Sequence, residues 1–96
     1  MINILISAIN NREEISFTYS GLRRVAQPSA VGISTAGHEV LRCYQTQGGH
    51  IVPGHEWDLC IVANIQNLQI TGNIFQANPP KYKAGDKGMS QIYAQL

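Results

Sequence analysis

The sequence predicts a mainly β fold, a small five-stranded antiparallel barrel with a helix before it and a short helix after it. Three observations carry that prediction. Ile15 to Pro28, ISFTYSGLRRVAQP, and Gly37 to Thr46, GHEVLRCYQT, alternate apolar with polar residues at the two-residue period of half-buried strands. The segments between successive apolar runs are too short to hold crossover helices, which excludes a parallel α/β sheet. With 96 residues, 44% of them hydrophobic and 14% charged, the chain has apolar surface for one core and not for two. The barrel is accordingly assigned to residues 1–78 and a C-terminal extension to 79–96.

Ile2, Leu5, Ala8 and Ile9 recur at three- and four-residue spacing, so residues 2–11 read as a short amphipathic helix that Asn10 and Asn11 end. A lone helix of this length is marginal in water and exists only by packing on the strands of the body. Ile15, Phe17 and Tyr19 form the first strand, and Ser20-Gly21 turns it. The second strand returns through Leu22 to Ala26. Pro28 must sit at an edge or a bend because it has no N–H for an interior ladder. Val31 and Ile33 resume the strand, Thr35-Ala36-Gly37 turns it back, and Val40 to Gln47 is the third strand, with Leu41 and Cys43 on one side and Val40, Arg42 and Tyr44 on the other. Gln47 to His55 is a loop by its Gly and Pro content. Trp57 to Ala63 reads as a fourth strand, buried on much of both faces. Asn64 to Phe75 is the fifth, with a phase break at Asn67 and a bulge or interruption at Gly72-Asn73. Asn78-Pro79-Pro80 is extended. Asp86 N-caps a C-terminal helix that carries Met89, Ile92, Tyr93 and Leu96 at helical spacing. Curling five short strands into an SH3-like or Sm-like barrel hides the apolar face and the edges together.

Ala8-Ile9 with Arg12, the run Ile15, Phe17 and Tyr19, Arg24-Val25 ahead of Pro28, Gly37 with Leu41, and Trp57, Leu59 and Ile65 together resemble the WYL-domain family. These are bacterial Sm-like barrels named for a tryptophan, tyrosine, leucine triplet. The likeness covers most of residues 1–75, and Tyr82 with Gly85-Asp86-Lys87-Gly88-Met89 is similar to a short subgroup consisting of this domain alone. At the triplet's place this chain has Glu39-Val40-Leu41. Where the family often carries an arginine after the fourth strand, Ala63-Asn64 precedes Ile65. The resemblance implies a ligand-sensing or nucleic-acid-binding module of a bacterial regulator, here without a helix-turn-helix.

Seven basic residues against six acidic ones leave a net charge of +1, so bulk charge does not announce nucleic-acid binding and an anion site must rest on arrangement. Pairing of the second and third strands through the Ala36-Gly37 turn brings Arg24 and Arg42 toward one face, with Tyr19 and Tyr44 nearby. Guanidinium groups bind oxyanions bidentately and an aromatic face stacks a base, which is the form of a nucleotide or single-stranded nucleic-acid site. Its expected members are Tyr19, Arg23, Arg24, His38, Arg42 and Tyr44. The competing reading is a solvated face whose arginines pair with Glu13, Glu14 or Glu39.

The sequence offers no nucleophile elbow, paired acidic motif or phosphate-cradling glycine loop, so a binding module is expected rather than an enzyme, and no cofactor is implied. His38, His50 and His55 lack the tight ligand spacing of zinc sites. They read as loop histidines, and Cys43 and Cys60 as buried thiols. Trp57 reads as core, with an exposed interaction anchor as the alternative. The expected partner is a nucleotide or single-stranded nucleic acid. The alternative is a protein partner or a homo-oligomer that buries the terminal apolar stripe. No apolar run approaches the ~18 residues of a membrane span, and MINILISAIN lacks the basic region and cleavage site of a signal peptide, so a cytoplasmic protein without membrane partners is expected.

Overall fold

The computed structural model describes residues 1–48 and 54–96. Helix α1 (Ile2–Asn10) buries Leu5, Ala8 and Ile9, the stripe that its spacing foretells. Asn11 donates its N–H to Ser7 at 2.9 Å, and Arg12 then turns the chain at φ 54°. Six strands come after it: β1 (Glu13–Tyr19), β2 (Leu22–Ser34), β3 (Glu39–Gly48), β4 (Trp57–Ile61), β5 (Gln66–Ile74) and β6 (Met89–Gln95). They form one antiparallel sheet in the order β4-β3-β2-β1-β5, with β6 added to β2. Ser20 and Gly21 join β1 to β2 with φ of 53° and 75°, the doubly positive geometry that matches hairpin twist.

β2 is the strand on which the others are organised. Its first half, up to Ala26, pairs with β1, and its second half, from Ala30, pairs with β6, while β3 runs along most of its other edge. Pro28 stands in the gap where β2 passes from one neighbour to the other, and Ser29 is the extra residue of a bulge against β3. The missing proline N–H therefore breaks neither the β1 nor the β6 ladder. A second bulge puts Thr46 between Gln45 and Gln47, and its hydroxyl donates to the Val25 carbonyl at 3.3 Å.

The main core joins α1 to the inner face of the sheet through Ile15, Phe17, Ala26, Val31, Leu41, Cys43, Cys60, Val62, Ile65 and Ala94. A smaller cluster on the outer face holds Ala30, Val40 and Met89, with Ile61 and Ile92 against it.

The five-stranded barrel is corrected to an open six-stranded sheet. Among the described residues no ladder joins β4 to β5, and a 3-10 turn (Val62–Asn64) separates them. The sheet is nonetheless curled. In a flat sheet β1 and β4 lie three strand spacings apart, about 14 Å, yet the Tyr19 hydroxyl accepts the Ile61 N–H at 2.9 Å. A side chain bridges the opening, and α1 covers the apolar concavity that a closing ladder would otherwise seal.

The C-terminal helix is corrected to strand β6. The register sets Met89, Ile92 and Gln95 opposite Ser34, Gly32 and Ala30, with Ser90 and Tyr93 as extra residues at two bulges. One inserted residue per two-residue step gives the outward face a period of three, which mimics a helix turn. The apolar stripe, read as either folding back on the body or docking on another chain, packs against the body: Met89 is buried and Ile92, Tyr93 and Leu96 are partly buried. β4 is also shorter and more open than expected: Cys60 is buried, whereas Leu59 is 38% exposed.

In β5, the phase break at Asn67 and the bulge around Gly72 are both present, with φ of 55° and 96° and with register shifts on either side of Ile70. These bulges blunt an edge that carries exposed Ile70 and Ile74. Part of the loop expected over 47–55, with His50, lies outside the described residues. No described helix is long and apolar enough to cross a membrane.

Candidate functional site

Strand parity separates the two arginines that the sequence pairs. Cys43 lies opposite Asp58 and Leu41 opposite Cys60, so these four share the inner face. Arg42 lies opposite Leu59 and Tyr44 opposite Trp57 on the outer face. Arg24 belongs to the inner set. Its Nη1 donates to Asp58 Oδ2 at 3.3 Å, Nη2 donates to the Tyr19 carbonyl at 3.4 Å, and the guanidinium stands 5.4 Å from the Tyr19 ring centroid. The Arg24 Nε is buried without a hydrogen-bond partner. Cys43 and Cys60 are buried free thiols beside this pair. The hydrogen bond between them and burial hold the Cys43 thiol well above its ordinary value, and the same bond draws Cys60 below it.

The other expected members scatter. Arg23 is exposed and donates to the Ser16 hydroxyl at 3.4 Å. His38 is exposed in the β2–β3 turn, its backbone N–H on the Ser34 hydroxyl at 3.2 Å, and lines a separate cleft with Met1 and Ala63. The acidic partners are Asp58 and Asp86, not the glutamates of the competing reading. Among the described residues no cluster of three or more His, Cys, Asp or Glu could hold a metal ion.

Arg42 is where a site forms. It stands in the wall of a cleft of about 370 Å³ between the outer face of β2–β4 and the segment 81–87, with Ser29, Ala30 and Trp57 along the sheet side. Trp57 meets Tyr44 edge to face at 5.3 Å and donates its indole N–H to the Pro80 carbonyl at 2.9 Å. Half-buried Trp57 is thus neither plain core nor a free anchor, but the post on which the 79–88 segment is hung. The segment is fastened further along by the Tyr82 hydroxyl on the Leu96 carbonyl at 2.8 Å and by the Gly85 N–H on the Gln95 side chain at 2.9 Å. Asp86 closes it: Arg42 donates Nε to Oδ2 at 2.7 Å and Nη2 to Oδ1 at 3.2 Å, while Oδ1 also accepts the Gly88 N–H at 2.8 Å. Asp86 is therefore an arginine partner and not the helix cap expected of it.

Lys81, Lys83 and Lys87, the chain's three lysines, all line this cleft and are exposed. Among the described residues none of them is in an ion pair. Four of the seven basic side chains thus meet at one cleft whose lining carries a single carboxylate, itself bound to Arg42. Sequence reasoning misses them because it assigns no element to 81–85 and draws a helix from Asp86 onward. The available signal is that every lysine falls within seven residues around Gly85.

The hydrogen bond from Arg42 holds the Asp86 carboxyl below its ordinary value of 3.8. The folded state therefore binds this proton more weakly than the unfolded chain, so the contribution is present above the ordinary carboxylate value and is lost as pH falls through the lowered one. Emission of Trp57, the sole tryptophan, is expected to hold steady from neutral pH down past 3.8 and to shift only in stronger acid. A shift centred above 3.8 would contradict the Arg42–Asp86 anchor.

Compared with protein-family models, with curated proteins and with solved structures, the chain matches none.

Proposed function

We propose that this chain is a non-catalytic, WYL-like binding module that takes a phosphorylated ligand of nucleotide size in the Arg42–Trp57 cleft. The observation that carries the reading is the convergence of Arg42, Lys81, Lys83 and Lys87 on one cleft with an aromatic wall. Its volume, about 370 Å³, falls in the range of small-molecule sites. Fork-shaped guanidinium and mobile ammonium groups are the donors that phosphate oxygens take. The helix followed by successive antiparallel strands is the element order the WYL resemblance implies, and an Sm-like origin is proposed on that order. A nucleotide is preferred to a long single strand because the cleft is bounded by the 81–87 segment. It is preferred to self-assembly because the terminal stripe packs against the chain's own two cores, Met89 buried and Ile92, Tyr93 and Leu96 partly so, and bulges interrupt β5.

Titration calorimetry with AMP, ATP and a ten-residue oligonucleotide tests the proposal. AMP and ATP are expected to bind saturably, with affinity that falls as salt rises. Replacing Lys81, Lys83 and Lys87 by Ala is expected to weaken binding roughly tenfold, the sum of three exposed charge contacts. Oligonucleotide binding without AMP or ATP binding moves the reading to a strand. Indifference of the lysine variant overturns the cleft.

A further inference from the structure

We infer that Asp86 is a built-in competitor for the ligand's phosphate: it occupies the Arg42 fork, and an incoming phosphate takes its place. The inference rests on the cleft reading above and adds its regulation. The Asp86 carboxylate meets Arg42 through Nε and Nη2, at 2.7 and 3.2 Å, which is the side-on pair of donors that a phosphate would use. Both side chains line the cleft, so a phosphate attracted by the three lysines arrives beside a guanidinium already neutralised.

The carboxylate has a second hold, the Gly88 N–H at 2.8 Å, which remains when Arg42 turns away. Exchange therefore strands neither charge. Arg42 gains the phosphate, and Asp86 keeps a backbone donor on a segment that solvent reaches at Lys83, Ala84, Gly85 and Lys87. Like-charge repulsion between phosphate and carboxylate then drives the segment outward. Its ties to Leu96 and to Gln95 carry that displacement into the end of β6. Occupancy of the cleft is in this way linked to the strand that completes the sheet on β2.

Asp86→Asn keeps the shape and an acceptor for the Gly88 N–H but removes the competing charge. It is expected to tighten AMP binding by about fivefold, the lower end of ordinary coupling between linked contacts. In an Arg42→Ala background the same change is expected to give a clearly smaller gain, the part that relief of charge repulsion alone supplies, whereas charge removal without competition for Arg42 predicts an equal gain in both backgrounds. In the unaltered protein, saturating AMP is expected to move the Arg42 Nε–H resonance in a nitrogen-proton spectrum, a readout independent of how the variants fold. Wild-type binding with an unmoved Arg42 signal, or Asp86→Asn binding no tighter than wild type, overturns the competitor and leaves the cleft standing. Absence of AMP binding by wild type overturns the cleft and the competitor with it.

Discussion

Gly32→Ala is expected to cost about 3 kcal/mol, the upper range for forcing extra atoms into a packed position, and to detach β6 from β2. A Cβ on Gly32 would overlap the Gln91 carbonyl oxygen and stand 2.9 Å from the Ile92 Cα. Both are backbone atoms, so no rotamer change relieves the clash. Gly32 lacks a positive φ, and conformational strain does not enter; the glycine is required by the close approach of β6 alone. For a chain of this length the loss corresponds to a fall in melting temperature of roughly 15 °C. Amide exchange should show fast exchange in 89–95 with the β1–β2 hairpin still protected. Gly21→Ala, where nothing lies within 4 Å but φ is +75°, serves as the strain-only comparison. If Gly32→Ala melts like wild type with β6 amides protected, the pairing of β2 with β6 is wrong, and a helical C-terminus regains its force.

β6 also shows why part of this fold was legible and part was not. Ile15, Phe17 and Tyr19 keep strict alternation, and β1 lies where that alternation puts it. Pro28 pointed to an edge or a bend, and it sits where β2 exchanges β1 for β6 while still paired with Cys43 of β3. The period fails where bulges insert residues. At Asn67 the insertion surfaced as a phase break within a recognisable strand, but at Ser90 and Tyr93 two insertions close together turned the period of two into three. The expected grouping of Arg24 with Arg42 on one face does not form, for a related reason. Arg24 and Arg42 lie on neighbouring strands, but which face each takes depends on bulges at Ser29 and Thr46 that composition does not announce. Arg24 keeps Tyr19 on the inner face and Arg42 keeps Tyr44 on the outer one, and the lysines that complete the Arg42 cleft come from a segment far along the chain.

Arg24 pairs with Asp58 away from the Arg42 cleft, and its removal should be separable from ligand binding there. Asp58→Ala leaves the Arg24 side chain, only 14% exposed, facing the interior without its carboxylate. The expected cost is about 2 kcal/mol, below the full penalty for a buried pair because Asp58 is itself 30% exposed. Arg24→Met alone should cost less, since it removes the charge and leaves the more exposed carboxylate to water, while still losing the stacking on Tyr19. The double variant Arg24→Met, Asp58→Leu is expected to lie near wild type, because apolar replacement of both members relieves two desolvated charges at once. Urea unfolding of wild type, Arg24→Met, Asp58→Leu and the double variant gives the coupling directly, and near-additive losses would show that the pair contributes nothing by its contact. Titration with AMP completes the separation. Arg24→Met should bind as wild type does, because the residue faces the core side of the sheet while the cleft lies on the other. If it instead weakens AMP binding as strongly as the triple lysine variant, the ligand reaches the inner face, and the open side between β4 and β5 becomes the site.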